Sequence, residues 1–251
     1  MRLRYTLLVL ATAALLPGAA HLESELLLPD NLELVNTTAE KDTFKGKSGV
    51  KIAISAAAAA RAAARRAGAK KGGKKGGPPN FAALEASRLE VLALPKIEEF
   101  SSGTIEVDLA GSPAPGATGG ARGFIGVAFR VQADKKTYDA YYLRPTNGRA
   151  DDQERRNHSA QYIHHPHAPW FKSRAETPSK YEAYVDIRPD EWIHVKITVD
   201  GEKSRLYING NDQPTLVVND LHSGADGKGA VALWLESSTV ARYANLKVTH
   251  R

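Results

Sequence analysis

The stretch WIHVKITVDGEKSRLYING, residues 192–210, carries the clearest fold information in the chain. Its apolar residues alternate with polar ones on both sides of a glycine, at Ile193, Val195, Ile197, Val199, Leu206 and Ile208. A period of two residues is the pattern of a strand with one buried face. The Asp200-Gly201 pair between the two runs favours a tight turn. The stretch therefore predicts an antiparallel β-hairpin.

The same alternation recurs between Gly, Pro, Asn and Asp clusters, in residues 31–36, 49–55, 101–111, 123–131, 214–218, 230–236 and 241–249. About a dozen short strands predict an all-β fold, a Greek-key sandwich of two antiparallel sheets. Residues 123–131 are expected to present one apolar face, formed by Ile125, Val127, Phe129 and Val131. Gly126 and Ala128, on the opposite face, leave room for a ligand or for another backbone.

The chain has 251 residues and no cysteine, so its stability is expected to come from packing rather than from disulfides. Residues 1–20 combine a basic start, an apolar run and a small-residue end, and they predict a secretory signal peptide. The apolar run is too short to span a membrane, and no second candidate follows it. Residues 21–251 are expected to form a single domain of a secreted protein, in the bacterial periplasm or outside the cell.

The net charge of +6 is concentrated in one segment. Residues 55–80 form a low-complexity insertion with an Ala/Arg run, then Gly/Lys repeats, and no acid. We expect a helix over residues 56–67, ended by Gly68, and a flexible linker after it. Of the 34 basic residues, two lie in the signal peptide and seven in the insertion, which leaves 25 against 28 acidic ones, so no nucleic-acid partner is predicted. The insertion is interpreted as a solvated loop, with contact to polyanions or the cell surface as the alternative.

Residues 138–170, YDAYYLRPTNGRADDQERRNHSAQYIHHPHAPW, are the segment where functional side chains concentrate. Four of the eight histidines lie in it, namely His158, His164, His165 and His167. Its turn signals and polar clusters predict a strand followed by a long loop. Strand alternation places Tyr138 and Tyr142 on the face opposite Tyr141, so only one of these two sets can line a groove.

A resemblance to a known superfamily rests on the hairpin. The run EWIHV (191–195), followed by DG (200–201) and LYING (206–210), resembles the concanavalin A-like lectins and glucanases, and laminin G-like domains share it. The strand order, with GFIGVAFRV before YYLRPTNG and an Asn-Leu-Lys-Val ending, is most similar to the bacterial 3-keto-disaccharide hydrolase domain group. The resemblance covers about residues 84–249 and implies a jelly-roll sandwich that carries sugars on its concave face. The third acid of the family 16 glycosidase signature is missing after Glu106-Val107-Asp108.

Sugars are held by aromatic faces and by planar hydrogen-bonding groups, and the segment 138–170 supplies both kinds. The candidate ligand-binding residues are Tyr141, Arg144, Asn147, Arg149, Asp152, Arg155, Gln161, His164 and Trp170. Its charged residues either order the loop through exposed ion pairs or, through Arg149 or Arg155, clamp an acidic sugar or a sulfate. The spacing of the histidines fits no familiar metal site, so neither a metal nor another cofactor is predicted.

The resulting hypothesis is a secreted carbohydrate-binding or carbohydrate-processing domain with a saccharide as its partner. Two alternatives stay open: a glycoside hydrolase or lyase acting on 3-keto-glycosides or acidic polysaccharide, and a non-catalytic module that adheres to a protein or surface. For elimination, the residue types and the family's name point to His158 or Tyr162 as the base, with Asn147 or Arg149 stabilising an enolate. Tyr, Arg and His side chains that converge in one pocket would favour sugar chemistry, whereas a flat apolar patch would favour a protein partner.

Overall fold

The computed structural model describes residues 25–72, 88–117 and 120–251. The signal peptide expected in residues 1–20 and residues 73–80 of the expected linker lie outside these ranges. Within the described ranges, no helix is both long enough and apolar enough to cross a membrane.

Fourteen strands form within the described residues. In chain order they are β1 (Leu32–Val35), β2 (Thr37–Phe44), β3 (Lys47–Ile54), β4 (Leu92–Pro95), β5 (Gly103–Pro113), β6 (Ile125–Val131), β7 (Tyr138–Leu143), β8 (Ala160–His165), β9 (Glu182–Ala183), β10 (Ile193–Asp200), β11 (Lys203–Ile208), β12 (Leu216–Val218), β13 (Ala230–Leu235) and β14 (Thr239–His250). Between them lie the helices α1 (Ala56–Gly72), α2 (Gln153–Asn157) and α3 (Trp170–Glu176) and a short 3₁₀ turn at Pro145–Asn147. Another 3₁₀ turn, Pro29–Asn31, precedes β1.

The strands build two seven-stranded antiparallel sheets that stack as a sandwich. The front sheet has the order β1-β4-β13-β6-β7-β8-β9, and the back sheet has the order β12-β11-β10-β5-β14-β3-β2. Their facing sides share one hydrophobic core, which includes Ile105 and Val107 of β5, Val127 of β6 and Tyr141 of β7. The predicted all-β, jelly-roll-type sandwich is therefore confirmed. The strands on either side of the insertion, β3 and β4, belong to different sheets of this sandwich.

The predicted hairpin is formed by β10 and β11. Their register runs from Val195 opposite Ile208 to Asp200 opposite Lys203, so a two-residue turn joins them. Gly201 occupies this turn with a φ of +57°, a conformation that glycine adopts without steric penalty. Burial alternates strictly along β10 as far as Val199, as the sequence pattern predicts.

The expected position of Val131 is wrong, because β6 contains a bulge. The pairing between β6 and β13 shifts register near Arg130, which has a φ of +55°. An extra residue in one strand reverses the alternation beyond it. Val131 consequently packs against Tyr138 and Leu94 on the outer face of the front sheet, while Phe129 remains in the core.

The expected end of the helix at Gly68 is also wrong, since α1 continues to Gly72. The Ser55 hydroxyl accepts a hydrogen bond from the Ala58 backbone N–H at 3.3 Å, which caps the helix start. Ala58 is fully buried, and Arg61 donates to the Asn36 side chain at 2.6 Å. Tertiary packing of this kind stabilises a helix beyond the length that an isolated one would reach.

Residues 138–170 do not form one strand and a long loop. They form β7, the turn at Pro145–Asn147, α2 and a second strand, β8, which pairs with β7 along six residues from Tyr138 opposite His165 to Leu143 opposite Ala160. The Asp152 side chain caps α2 by accepting from the Arg155 backbone N–H at 3.0 Å. The polar cluster thus builds a short capped helix at the end of a hairpin.

The room beside Gly126 is taken by the neighbouring backbone. A Cβ at this position would lie 2.0 Å from the Tyr141 carbonyl oxygen and 2.7 Å from the Tyr142 Cβ. We expect Gly126→Ala to lower the free energy of unfolding by at least about 2 kcal/mol, since β6 and β7 must separate to admit the methyl group. Urea denaturation measures this. Gly120→Ala is the matched control because nothing lies within 4 Å of its Cβ, and equal effects of the two changes would contradict the expectation.

Candidate functional site

The outer face of the front sheet, turned away from the core, carries one row of large and polar side chains. Cross-strand pairing runs from Trp234 to Gly126, Tyr142, Gln161 and Glu182. The rings of Trp234 and Tyr142 stack at 4.9 Å between centroids, on either side of the glycine. The row therefore joins an aromatic floor on β13 and β7 to a carboxylate on β9.

The next row on the same face is shallow. It consists of Ala232, Ala128, Ala140 and Ile163, on β13, β6, β7 and β8. A third row follows, in which Tyr138 pairs with His165 and the two rings meet edge to face at 5.3 Å. Small side chains between two aromatic rows leave a hollow floor.

A cavity of about 1300 Å³ lies over this floor. Its walls come from residues 114–117, 120–122 and 124, from α2 and α3, and from residues 234–238, while Ala62 of α1 contributes at another point. Trp170 stands in the wall with 41% of its surface exposed, and the Arg174 guanidinium lies 5.0 Å from the centre of its ring. A concave site with aromatic and planar polar walls suits a saccharide.

Glu182 is the buried charge around which one end of the cavity is arranged. Its side chain is only 4% exposed, and Arg174 donates to both of its oxygens, at 2.5 and 3.2 Å. Arg144 Nη1 lies 3.6 Å from Glu182 Oε1. Arg144 also donates to the Tyr142 hydroxyl at 2.7 Å and to the Gln161 side-chain oxygen. A buried carboxylate is stable only with such partners.

His158 is the imidazole that joins Glu182 to the cavity. Its Nδ1 lies 2.9 Å from Glu182 Oε2, a close polar contact that is not aligned as a full hydrogen bond. Contacts of this kind often stay oblique until substrate closes a site. Burial lowers the pKa of His158, Glu182 opposes this, and Arg174 and Arg144 lower it further. The imidazole is therefore neutral at neutral pH and able to accept a proton.

The other end of the cavity has a second buried carboxylate, Glu90. The Tyr138 hydroxyl donates to Glu90 Oε2 at 2.5 Å, and the Trp234 indole N–H donates to the Tyr138 oxygen at 3.1 Å. Arg88 forms an ion pair with Glu90 Oε1. This network holds the aromatic floor in place at the end opposite His158.

The histidines of β8 divide between the two faces of the front sheet. His165 lines the cavity, whereas His164 lies on the inner face and contacts His167 and His222, at 5.6 and 5.8 Å between ring centres. Burial lowers the pKa of His164 to about 4, with repulsion from His222 and His167 adding to it. Among the residues that the structure describes, no three His, Cys, Asp or Glu side chains gather in a group that could hold a metal ion.

His165 makes folding stability depend on pH. Burial, with repulsion from Arg88 and His164, lowers its pKa to about 3 in the folded protein, against about 6.5 in the unfolded chain. The unfolded chain therefore binds the proton first, and this stability is present above pH 6.5 and lost as the pH falls towards 3. We expect this histidine alone to cost about 2 kcal/mol between pH 7.5 and pH 5.

The control for this pH effect is His165→Gln, which has no titrating ring. Urea denaturation of both proteins at pH 7.5 and pH 5 should show a smaller loss of unfolding free energy in the variant, by about 2 kcal/mol. Identical losses in the two proteins would show that His165 is not the group responsible.

The structure brings six of the sequence-predicted residues together at the cavity: Arg144, Asn147, Asp152, Arg155, His158 and Trp170. Asn147 donates from Nδ2 to the His158 carbonyl oxygen at 3.4 Å, and Arg144 donates to the same oxygen at 2.7 Å. These two bonds tie the turn after β7 to the end of α2, where His158 follows. The local hairpin thus positions the candidate base.

Four predicted residues lie elsewhere: Tyr141, Tyr162, His164 and Arg149. Tyr162 is fully buried between the sheets, where its hydroxyl donates to Asp139 Oδ1 at 2.6 Å, so it cannot meet a ligand in the cavity. Tyr141 packs in the same core, stacked on Phe129. Both point inward because strand alternation places positions 141 and 162 on the core-facing sides of β7 and β8.

Arg149 is an exposed side chain outside the cavity wall. It donates to both oxygens of Asp186, at 2.6 and 2.8 Å. This is the kind of exposed ion pair expected for the loop-ordering alternative, one of the two roles considered for Arg149. Gln161 lies beneath the floor, fully buried, where its oxygen accepts from the Tyr142 hydroxyl at 2.8 Å.

Residues that sequence reasoning missed include Glu182, Glu90, Arg174 and Trp234. Each lies outside residues 138–170. Glu90, Arg174 and Trp234 line the cavity, whereas Glu182 lies behind His158. Trp234 had one sequence signal, since it occupies the face of β13 opposite its core residues Val231, Leu233 and Leu235. A lone Glu such as Glu182, in a two-residue strand, has no comparable signal.

Glu106 and Asp108 lie on the outer face of the back sheet, away from the cavity. Asp108 accepts hydrogen bonds from Lys47 at 2.6 Å and Asn245 at 2.7 Å, and its Oδ1 lies 2.9 Å from His194 Nδ1. Its pKa is lowered, because these hydrogen bonds outweigh the effect of burial. The pair is therefore part of a surface network on the sheet that does not carry the cavity.

A family model described as a 3-keto-alpha-glucoside-1,2-lyase-like domain matches residues 87–249 of the chain. This span contains β13, β7 and β8, the strands whose side chains floor the cavity, together with β6 and β9 of the same sheet. A comparison with curated proteins found no match.

Three solved structures illustrate the similarity of shape. Carbohydrate-binding module CBM66 from Bacillus subtilis has a TM-score of 0.48 at 15% identity, covering 86% of this chain and 93% of its own. A protein with a galectin-like fold, also from Bacillus subtilis, has a TM-score of 0.47 at 12% identity, covering 89% and 92%. A β-glucanase from Bacillus licheniformis has a TM-score of 0.37 at 12% identity, covering 64% and 71%. At these values the likenesses carry no weight for function.

Proposed function

The chain belongs to the 3-keto-alpha-glucoside-1,2-lyase-like domain family, and on that premise we propose that it binds a saccharide in the front-sheet cavity and cleaves a 3-keto-glucoside by elimination. One observation carries the proposal. His158, neutral at neutral pH, opens on the cavity with the buried carboxylate of Glu182 2.9 Å behind it. An imidazole oriented by a carboxylate is a common arrangement for a general base.

Elimination from a 3-keto-glucoside requires a base, and it does not require the pair of carboxylic acids that glycosidases use. A ketone at C3 of the sugar ring acidifies the C2–H bond, because its electron pair can move into an enolate. The base takes the C2 proton, the enolate collapses to form a C1=C2 double bond, and the C1–O bond breaks. The departing oxygen gains a proton, so the products are an enone sugar and an alcohol. The missing third acid near Glu106 is no obstacle to this route.

His158 is suited to the first proton transfer. Its Nδ1 faces Glu182, which favours the tautomer with a proton on that nitrogen and leaves Nε2 as the acceptor. Once protonated, the ring is stabilised by the same carboxylate and can return the proton to the leaving oxygen. The position of Tyr162 in the core leaves His158 as the remaining base of the two that the sequence pointed to.

Arg144 is suited to stabilising the enolate. It lines the cavity beside His158, and its guanidinium is held by three neutral acceptors: the His158 carbonyl, the Tyr142 hydroxyl and the Gln161 oxygen. A cation fixed in a buried site before the reaction stabilises developing negative charge more than a mobile one in water.

Saccharide binding without catalysis is the second candidate, and Trp170 favours it. Its half-exposed ring, with Arg174 behind it, offers a flat face for a sugar. Adhesion to a protein has less support, because the exposed large apolar residues in the described part of the chain belong to four separate segments: Leu34, Trp170, Tyr184 and Val217. The export pattern of residues 1–20 supports action outside the cytoplasm.

The proposal is tested with methyl 3-keto-α-glucoside and its parent methyl α-glucoside. The enzyme should release methanol from the keto sugar with a rise in the ultraviolet absorbance of a conjugated enone, and it should leave the parent sugar intact. Binding of both sugars without turnover of either would support the second candidate. Absence of both binding and turnover would overturn the proposal.

A further inference from the structure

Charged side chains from several segments line the cavity. Five arginines line it, Arg88, Arg122, Arg144, Arg155 and Arg174, together with four carboxylates, Glu90, Asp152, Glu154 and Glu236. The arginines come from separate segments: the start of the β4 region, the loop before β6, the end of β7, and the helices α2 and α3. Several guanidiniums directed into one hollow need either carboxylate partners or an anionic ligand.

Most of these arginines have identified acceptors. Arg88 pairs with Glu90, and Arg174 holds both oxygens of Glu182. Arg144 donates to neutral oxygen atoms and shares Glu182 from 3.6 Å. Glu182 is therefore the shared partner of two guanidiniums and one imidazole, at the end of the cavity where His158 lies.

Arg155 is the exception. Its Nε is enclosed without a hydrogen-bond partner, and its Nη2 makes a long 3.4 Å contact with the Asn147 side-chain oxygen. Asp152, the nearest acid in sequence, accepts from the Arg155 backbone N–H instead, because it caps α2. Across residues 25–72, 88–117 and 120–251, no carboxylate lies within ion-pair distance of this guanidinium.

Arg122 and Arg144 add positive charge to the same region. Burial lowers the pKa of Arg122, and repulsion from Arg155 and then from Arg144 lowers it further. The Arg122 carbonyl accepts from the Thr146 backbone N–H at 3.3 Å, which fixes this loop against the turn that carries Asn147. Three cations are thus held near one another by the fold.

We propose that Arg155, with Arg122 and the Asn147 amide beside it, forms an oxyanion subsite, and that the saccharide bound in the cavity carries a carboxylate or sulfate group. The inference rests on the proposed function, since it names the class of sugar that the cavity takes. A planar guanidinium binds a carboxylate or sulfate through two parallel hydrogen bonds, and the two Nη groups of Arg155, which lines the cavity, are the donors that can supply both. Arg149, which the sequence suggested equally, is occupied by Asp186.

The test compares methyl α-glucuronide with methyl α-glucoside, which differ only at C6, by isothermal titration calorimetry. Inorganic sulfate is the third probe, because it reports the subsite without a sugar. We expect the glucuronide to bind at least about tenfold more tightly than the glucoside, and this ratio to shrink in added salt. In Arg155→Gln the ratio should fall close to one, and sulfate binding should be lost.

Two further variants define the chemistry. Arg155→Lys keeps the charge and loses the planar fork, so only part of the preference should remain. Arg188→Gln removes an exposed arginine that faces Glu191 outside the cavity, and the full preference should persist. Equal affinity for the two glycosides with no binding of sulfate would overturn the subsite. Sulfate binding that depends on Arg155, with no binding of either glycoside, would support the subsite and count against the proposed saccharide function.

Discussion

His158→Asn is expected to lower kcat on methyl 3-keto-α-glucoside by between about 100-fold and 10,000-fold, the usual contribution of a positioned general base. The asparagine amide can still donate to Glu182 from the place of Nδ1, but no atom replaces Nε2 as the proton acceptor. Sugar binding should change little, since the cavity walls stay in place. Steady-state rates and the dissociation constant of methyl α-glucoside measure the two effects separately.

His194→Asn is the matched control for this experiment. His194 also has a carboxylate 2.9 Å from its Nδ1, contributed by Asp108, but it lies on the outer face of the back sheet. It should retain the wild-type rate. Equal activity of the two variants, or loss of sugar binding in His158→Asn, would contradict the assignment of His158 as the base.

Glu182→Gln is expected to lower both stability and rate. The variant leaves Arg144 and Arg174 facing an uncharged amide, and breaking a buried ion pair on one side costs about 3 kcal/mol of unfolding free energy. The carboxylate also raises the pKa of His158, so its removal should move the rise of kcat with pH to lower pH. Urea denaturation and a pH–rate profile measure these effects.

Asp186→Asn is the control for the charge change at Glu182. Asp186 also pairs with an arginine, Arg149, but both side chains are about half exposed, and exposed pairs contribute little. Its melting temperature and its pH–rate profile should match those of the wild type. A stability loss in Glu182→Gln without any shift of the pH–rate profile would leave Glu182 a structural residue only.

The fold was largely predictable because local patterns determine it. The alternation in residues 192–210 and its glycine turn specify β10 and β11 without any distant contact. The errors arise where tertiary contacts decide. The bulge at Arg130 depends on how β6 meets β13, and the extension of α1 past Gly68 accompanies burial of Ala58 and the hydrogen bond from Arg61 to Asn36. Neither contact can be predicted from a short stretch of sequence.

The candidate site was predictable only in its local part. Arg144, Asn147 and His158 belong to one hairpin, so a single rich segment revealed them together. Strand alternation correctly placed Tyr141 and Tyr142 on opposite faces of the sheet. Alternation alone, however, does not predict which of the two faces lines the cavity. Glu182 reaches His158 through the pairing of β8 with β9, a two-residue strand whose register no sequence pattern predicts.

Proton NMR of the reaction with methyl 3-keto-α-glucoside tests the central claim most directly, because it follows the C2 proton itself. We predict that methanol release is accompanied by loss of the C2 proton signal and by a new vinyl C1 proton, and that neither occurs with His158→Asn. Methanol release with the C2 proton retained and free 3-keto-glucose formed would indicate hydrolysis, and it would contradict elimination by His158.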